Sequence, residues 1–226
     1  MYIKKLDTCI IMGSHPGTRN EFDWTRTDCD IWVFNEVLSK PEQWCKRADV
    51  VWQMHDPAIW RNPYNRNDPG HYAWLKSQTQ YPVVMQEDHS GEVPMCHPYP
   101  KDSIFTALLG KFPPYSTSSV AYAIAYAIFL GYTRIEMYGV EMETNTEYFY
   151  QRTAIAFWLA LAIGRGIEVA AHCTIFNDPL YGYDGDINLP REAYLSAMKE
   201  FNTQMQAEAT VFSGLGAGLT QKLKLF

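Results

Sequence analysis

Cysteine is scarce and scattered. Cys9, Cys29, Cys45, Cys96 and Cys173 are an odd, widely spaced set without a C-x-x-C pair, which excludes a disulfide framework and fits no zinc-finger spacing. Charge is sparse too, at 19% of residues with a formal net charge of −6. That argues against a broad face gripping duplex nucleic acid and leaves only a local basic groove open. The apolar run from Val120 to Leu130 falls well short of the ~20 residues that cross a bilayer. The opening "MYIKKLDTCIIMG" has too short an apolar stretch for a signal peptide. The expectation is a protein of a reducing cytoplasm with no membrane partner. There is no G-x-G-x-x-G, no Gly-Lys-Ser/Thr of a P-loop and no H-E-x-x-H, so no metal site and no tightly bound cofactor are expected.

What is present points to a layered α/β protein. The 226 residues are 47% hydrophobic, ample for one large core. We expect one domain over residues 1–212 and a glycine-broken tail over 213–226. Strand signals, short and rich in β-branched or aromatic residues, fall at Thr8–Met12, Ile31–Asn35, Val50–His55, Pro82–Gln86, Arg134–Gly139 and Ile167–Ala171. Helix signals lie between them: a weak one at Pro41–Arg47, then Gly70–Gln78, Lys101–Leu109, Ser118–Leu130 and Glu147–Ile163, with a last one at Arg191–Ala209 behind Pro190. The alternation predicts a single Rossmann-like domain, with a mostly parallel, doubly wound sheet and helices on both faces. Aromatic residues reach 15%, including 7 Trp and 15 Tyr. They serve either an aromatic-rich core or an aromatic pocket.

In such sheets ligands bind beyond the carboxyl ends of the strands, near a switch in strand order. The chain is polar at those ends. Gly13-Ser14-His15-Pro16-Gly17 could bring backbone amides to a phosphate or ribose, or form a plain turn. His55 and Asp56 could be an acid/base pair, or a turn started by Asp56 before Pro57. Thr117, Ser118 and Ser119 at a helix start exceed what one cap needs and offer hydroxyls and amides to an anion. Glu141 lies just past the "RIEMYG" strand. Tyr148, Tyr150 and Arg152 next to it would suit a phosphate group, or simply open a surface helix. In "DPLYGYDGD", Tyr181 and Tyr183 could form a lid over a ligand or a packed loop. The polar tips after Met12, Phe34 and Tyr115 are expected to meet in one cradle.

The stretch "TSSVAYAIAYAIFLGYTRIEMYGVEM" resembles a Thr-Ser-Gly, apolar helix, Leu-Gly-Tyr, strand, Gly-[Ile/Val]-[Asp/Glu] segment. That segment belongs to the family 42 bacterial sialyltransferases and the related hydroxymethylpterin pyrophosphokinase MptE-like proteins. "CIIMGSHPGTRNEFDW" is similar to their first strand and loop, and "DIWVFNEV" to their second strand. Through "YQR" and "GRGIEV" the chain also resembles phage-encoded proteins. The resemblance implies a nucleotide, often of cytidine or adenine, at the sheet's carboxyl edge. Gly13, Ser14 and Pro16 would line it, Asn35 would contact base or sugar, and Thr117 with Ser118 would meet ribose or phosphate. His15, Ser14, Gly17 and Ser119 depart from that pattern, and the sialyltransferases' catalytic histidine has no counterpart in "TNTEYFYQRTAIAFW".

The expected function is therefore a metal-independent, glycosyltransferase-like transferase acting on a nucleotide or nucleotide-sugar, with His55, Asp56 or His15 as base. The alternatives are a non-catalytic protein that sequesters a nucleotide signal, a pyrophosphokinase holding ATP and Mg²⁺ on Glu141 or Glu143, and a partner-binding protein with an aromatic surface. Homo-oligomerisation is left open.

Overall fold

The computed structural model describes residues 4–40, 44–64, 68–142, 148–176, 198–203 and 206. Met1–Phe176 and Asn177–Phe226 group as two units. In the second, residues 198–203 and 206 are helical, inside the helix expected over Arg191–Ala209. The rest of that helix and the 213–226 tail lie outside the described residues.

The first unit is built on seven strands: β1 Thr8–Met12, β2 Cys29–Phe34, β3 Val50–Gln53, β4 Val83–Met85, β5 Cys96–Pro98, β6 Arg134–Tyr138 and β7 Glu168–His172. They form one sheet in the order β5-β4-β3-β2-β1-β6-β7, and every neighbouring pair is parallel. The chain lays β1 to β5 outward in one direction, then crosses back to place β6 against the other side of β1. The order therefore reverses between β1 and β6. This is the doubly wound α/β architecture expected from the alternating pattern.

Among the described residues of this unit six α-helices accompany the sheet, with two 3-10 turns: α1 Pro16–Arg19, α2 Pro57–Trp60, α3 His71–Ser77, α4 Lys101–Leu109, α5 Ser119–Phe129 and α6 Tyr148–Gly164. Strand side chains alternate between two buried layers, as the period of two requires. Cys9, Ile11, Trp32, Phe34, Trp52 and Met137 pack with α4, α5 and α6. Ile10, Met12, Ile31, Val33, Val51 and Met85 pack with Phe22, Leu38, Trp60 and Leu75 on the other face. Both faces being covered explains the almost unbroken apolar strands. It also explains the charge-free α5, whose Ala121, Ala123, Ile124, Ala125 and Ala127 are all buried completely.

Much of the aromatic excess belongs to this core. Trp32, Trp52, Trp60 and Trp158 are fully buried, and Trp32 meets Trp52 at 5.3 Å and Tyr126 at 5.9 Å between ring centroids.

Three expectations need correction. Residues 44–47 of the weak helix carry no helical structure, and residues 41–43 lie outside the described residues. Arg47 there donates to the carbonyls of Arg26 (2.7 Å) and Cys29 (2.6 Å), which ties the segment to the start of β2 instead. A seventh strand, β5, joins the six expected ones; it is three residues long and, among the described residues, pairs with β4 alone. The loops after β1 and β3 contain short helices, each entered through a capping residue followed by proline, His15-Pro16 and Asp56-Pro57.

One buried charge is held on the sheet. Glu136 is 2% exposed and accepts from Arg26 Nη1 at 2.8 Å, Arg134 Nε at 2.7 Å and the Tyr138 hydroxyl at 3.0 Å. Burial works to raise its pKa, but these three donors outweigh it and hold the carboxyl below its usual range. Tyr138 is pushed up to about 12 by burial and by its bond to Glu136.

Candidate functional site: a cleft at the strand-order reversal

Two glycines let the ends of β1 and β6 come together. A Cβ on Gly13 would stand 2.1 Å from the Gly139 carbonyl oxygen, and a Cβ on Gly139 would stand 2.6 Å from the Gly13 oxygen. Gly139 also has φ +63°, a left-handed backbone that glycine adopts without penalty. The two tips are stitched by Gly13 N–H to Tyr138 O (2.7 Å) and His15 N–H to Gly139 O (3.1 Å). The Gly139 amide donates to Thr18 Oγ1 of α1 at 2.8 Å.

Above this junction lies a cleft of about 1180 Å³, larger than many single-ligand sites. It is lined by the β1 tip (Gly13, Ser14, His15, Pro16), by Phe34 and Asn35 at the end of β2, and by Met54 and His55 after β3. Ala58, Ile59, Asn62 and Tyr64 follow from α2 onward. Thr117, Ser118, Ser119, Val120 and Tyr122 come from the start of α5. The β6 tip (Gly139, Val140, Glu141, Met142) and Gln151 complete it. The tips after Met12, Phe34 and Tyr115 thus border one space.

The predicted residues differ in what they have left to offer. Ser118 caps α5, its hydroxyl accepting from the Ala121 amide at 3.1 Å. Helix geometry leaves the Ser119 and Val120 amides without intrahelical acceptors, so the positive end of α5 faces the cleft. His15 caps α1: Nδ1 accepts from the Gly17 amide at 3.3 Å. That bond keeps the proton of the neutral ring on Nε2 and makes His15 a donor to the cleft rather than a base. Asp56 caps α2 through Ala58 N–H at 2.8 Å and is not among the residues lining the cleft. Glu141 Oε1 lies 3.8 Å from where a Cβ on Gly17 would sit, beside the α1 start.

Asn35 and His55 stand apart. Asn35 has φ 55°, an uncommon conformation for a side chain-bearing residue. Its Oδ1, like His55 Nδ1, is buried with no hydrogen-bond partner among the described residues.

The phosphate-binding expectations fare differently. Arg152 donates to the Ile175 carbonyl and does not line the cleft, whereas its neighbour Gln151 does. Tyr148 and Tyr150 open α6, and their side chains lie outside the described part of the chain, as do Tyr181, Tyr183 and Glu143.

Two Asp-x-Asp triplets, the kind that hold metal in many sugar-nucleotide enzymes, do occur, at Asp28–Asp30 and Asp184–Asp186. The first sits at the start of β2, at the sheet end opposite the cleft. Asp28 pairs there with Arg26, and Asp30 accepts from Tyr132 and from the Lys5 and Leu6 amides. The second lies outside the described residues. Among the described residues no three His, Cys, Asp or Glu side chains group as a metal site would, and no helix is long and apolar enough to cross a membrane.

Sequence reasoning missed the apolar wall of the cleft: Phe34, Met54, Ile59, Val120 and Tyr122. Ile59 and Tyr64 are 49% and 86% exposed, an unusual expenditure of apolar surface. The signal that could have found them is the short capped helix directly after β3.

Fold and cleft together define a Rossmann-like α/β protein with an open site at its strand-order reversal. No protein-family model matches the chain, and no curated protein matches it. Among solved structures it is similar to the sialyltransferase CstII from Campylobacter jejuni in complex with cytidine-5′-monophosphate: 20% identity, 81% of this chain and 87% of that one, TM-score 0.44. An alpha-2,3-sialyltransferase from the same organism in apo form gives 16%, 91% and 97%, and 0.47. The monofunctional alpha-2,3-sialyltransferase Cst-I, also from Campylobacter jejuni, gives 13%, 91% and 98%, and 0.49. Likenesses this distant assign no activity to the chain, which has to be read from the cleft's own chemistry.

Proposed function

We propose that the cleft binds a nucleotide or nucleotide-sugar and that the protein is a glycosyltransferase-like transferase that uses no intrinsic metal. One observation carries the reading. Two glycine-built tips, the positive end of α5, and Asn35 and His55, each carrying a buried polar atom with no hydrogen-bond partner among the described residues, border the same space. Glycine tips allow close backbone approach, and a helix N-terminus favours an anion. Asn35, at the end of β2, would offer its amide to a base or a ribose hydroxyl. The apolar wall of Phe34, Met54, Ile59 and Tyr122 supplies surface for a base or sugar ring.

In the transfer step, the bond between the sugar's anomeric carbon and the phosphate oxygen breaks. The nucleotide leaves with the electron pair, and its charge is met by the Ser119 and Val120 amides and the Ser118–Ser119 segment. A bond forms from an acceptor hydroxyl to that carbon, and the hydroxyl proton passes to His55. His55 is favoured over His15 and Asp56 because both of those are committed as helix caps.

The same commitment favours a second reading. His55 has no carboxylate among its described hydrogen-bond partners to orient it, which suits a protein that holds a nucleotide signal and performs no chemistry. The test is to measure melting temperature and heat of binding with CMP, AMP, CMP-sialic acid and UDP-sugars. A ligand at 100 times its Kd adds about 2.7 kcal/mol, or roughly 5–10 °C for a chain of this size. Release of free nucleotide that depends on His55 supports transfer. Ligand recovered intact supports sequestration. The absence of any shift across the panel refutes nucleotide binding.

A further inference from the structure

Behind the His55 wall, a hydrogen-bonded chain runs through the interior and begins and ends on backbone groups. The His55 amide donates to Gln53 Oε1 at 3.3 Å. Gln53 Nε2 lies 2.8 Å from His71 Nε2. His71 Nδ1 lies 2.9 Å from Ser39 Oγ, and that hydroxyl donates to the Glu36 carbonyl at 3.1 Å. His71 is 0% and Gln53 1% exposed.

The two ends fix every hydrogen between them. A backbone N–H can only donate, so the Gln53 carbonyl must face His55 and its amide nitrogen must face His71. That nitrogen carries only donors, so His71 Nε2 must be bare. The ring's single proton then sits on Nδ1 and goes to Ser39, whose own hydrogen is left for the Glu36 carbonyl. One tautomer of one neutral histidine satisfies the whole series.

We propose that Gln53 and His71 are positioning residues for the cleft: their buried chain anchors the His55 end of β3 and breaks when His71 takes up a proton. Protonation puts a hydrogen on Nε2, and two donors then confront each other across the 2.8 Å contact with Gln53. Rotating the Gln53 amide relieves that clash only by turning its NH₂ group onto the His55 amide. Either arrangement releases the anchor at the cleft wall. Glu36 after β2 and Asp68 before α3 favour the proton, while His55 disfavours it. Burial, the largest influence, also disfavours it and lowers the pKa below the ordinary histidine value. Trp74 stacks on the ring at 6.0 Å and adds no charge.

That the anchored wall matters for catalysis or affinity rests on the nucleotide reading; the chain itself does not. The experiment is ring and amide ¹⁵N NMR of the intact protein over a pH titration, beside calorimetry with CMP. Expected are the Nδ1–H tautomer of His71 at neutral pH and a His55 amide resonance that moves with the His71 titration. In Gln53→Glu, a carboxylate can accept from both neighbours. The His71 midpoint shifts upward and the His55 amide stays anchored through it. Gln53→Leu cuts the chain, and loss of one hydrogen bond weakens CMP binding about 2- to 10-fold. If the leucine variant does not fold, the wild-type and Gln53→Glu titrations decide. The Nε2–H tautomer, or a His55 amide indifferent to His71 protonation, overturns the proposal. CMP failing to bind while the NMR coupling holds overturns the nucleotide reading alone.

Discussion

The Gly13→Ala substitution tests the construction of the cleft most directly. The new methyl group would sit 2.1 Å from the Gly139 oxygen and 2.6 Å from its carbonyl carbon, where about 3.0 Å is the floor for real Cβ contacts. Both atoms are backbone, so no side chain can rotate away. The tips of β1 and β6 have to part by roughly an ångström, which stretches the Gly13–Tyr138 and His15–Gly139 bonds. Overpacking of this kind costs about 1–3 kcal/mol, and two weakened hydrogen bonds add about 1 kcal/mol each at most. The expected loss is about 3 kcal/mol, or roughly 6–12 °C in melting temperature. Denaturant and thermal melts followed by circular dichroism measure it. Gly91→Ala serves as control, since a Cβ there meets nothing within 4 Å. Gly139→Ala should be destabilising too, and the pair should fall short of additive because both act on one contact. A Gly13→Ala protein that melts within about a degree of the wild type would refute the close-approach argument.

Asn35→Gly should keep or raise stability, by up to ~1 kcal/mol from relief of the left-handed backbone, yet weaken CMP binding in calorimetry through loss of the side-chain amide; Asn35→Ala should lose both. Glu136→Ala should cost about 2–3 kcal/mol in denaturant melts, less than for wholly buried pairs because Arg26 and Arg134 reach solvent. Because the folded pKa of Glu136 is depressed, its contribution is present above the ordinary carboxylate range and disappears as pH falls through the folded value. His71 acts in the same pH direction for a different reason. Its folded pKa is lowered, so the unfolded chain takes up the proton first, and stability should fall as pH drops below about 6.5, by at most ~1.4 kcal/mol per pH unit. His71→Asn should flatten that slope between pH 5 and 7.

The sheet was legible because its strands carry their own signal. "TCIIM" and "RIEMY" announce themselves by β-branched and apolar content, and α5 by a capped, charge-free run closed by Gly131. β5 was not legible, because Cys96-His97-Pro98 has no alternation and becomes a strand only by pairing with β4. The short helices α1 and α2 were expected only as ligand-facing loops or turns, although both carry a cap followed by proline. The cleft's polar rim followed from one rule about strand ends. Its construction did not: the Gly13–Gly139 contact and the Gly139–Thr18 bond, which spans 121 residues of sequence, exist only after the chain has crossed the sheet. The Gln53–His71 series was equally hidden, although a lone glutamine ending an apolar strand was a cue that something polar waited behind it.

The crossing from β5 back to β6 has a consequence for synthesis on the ribosome. Everything through Pro98 can pair outward strand upon strand as it emerges, but the Gly13 tip has no partner until the residues around Gly139 arrive. A nascent chain shorter than that owns half of the cleft's rim, and α6 and β7 are still to be added when the other half arrives.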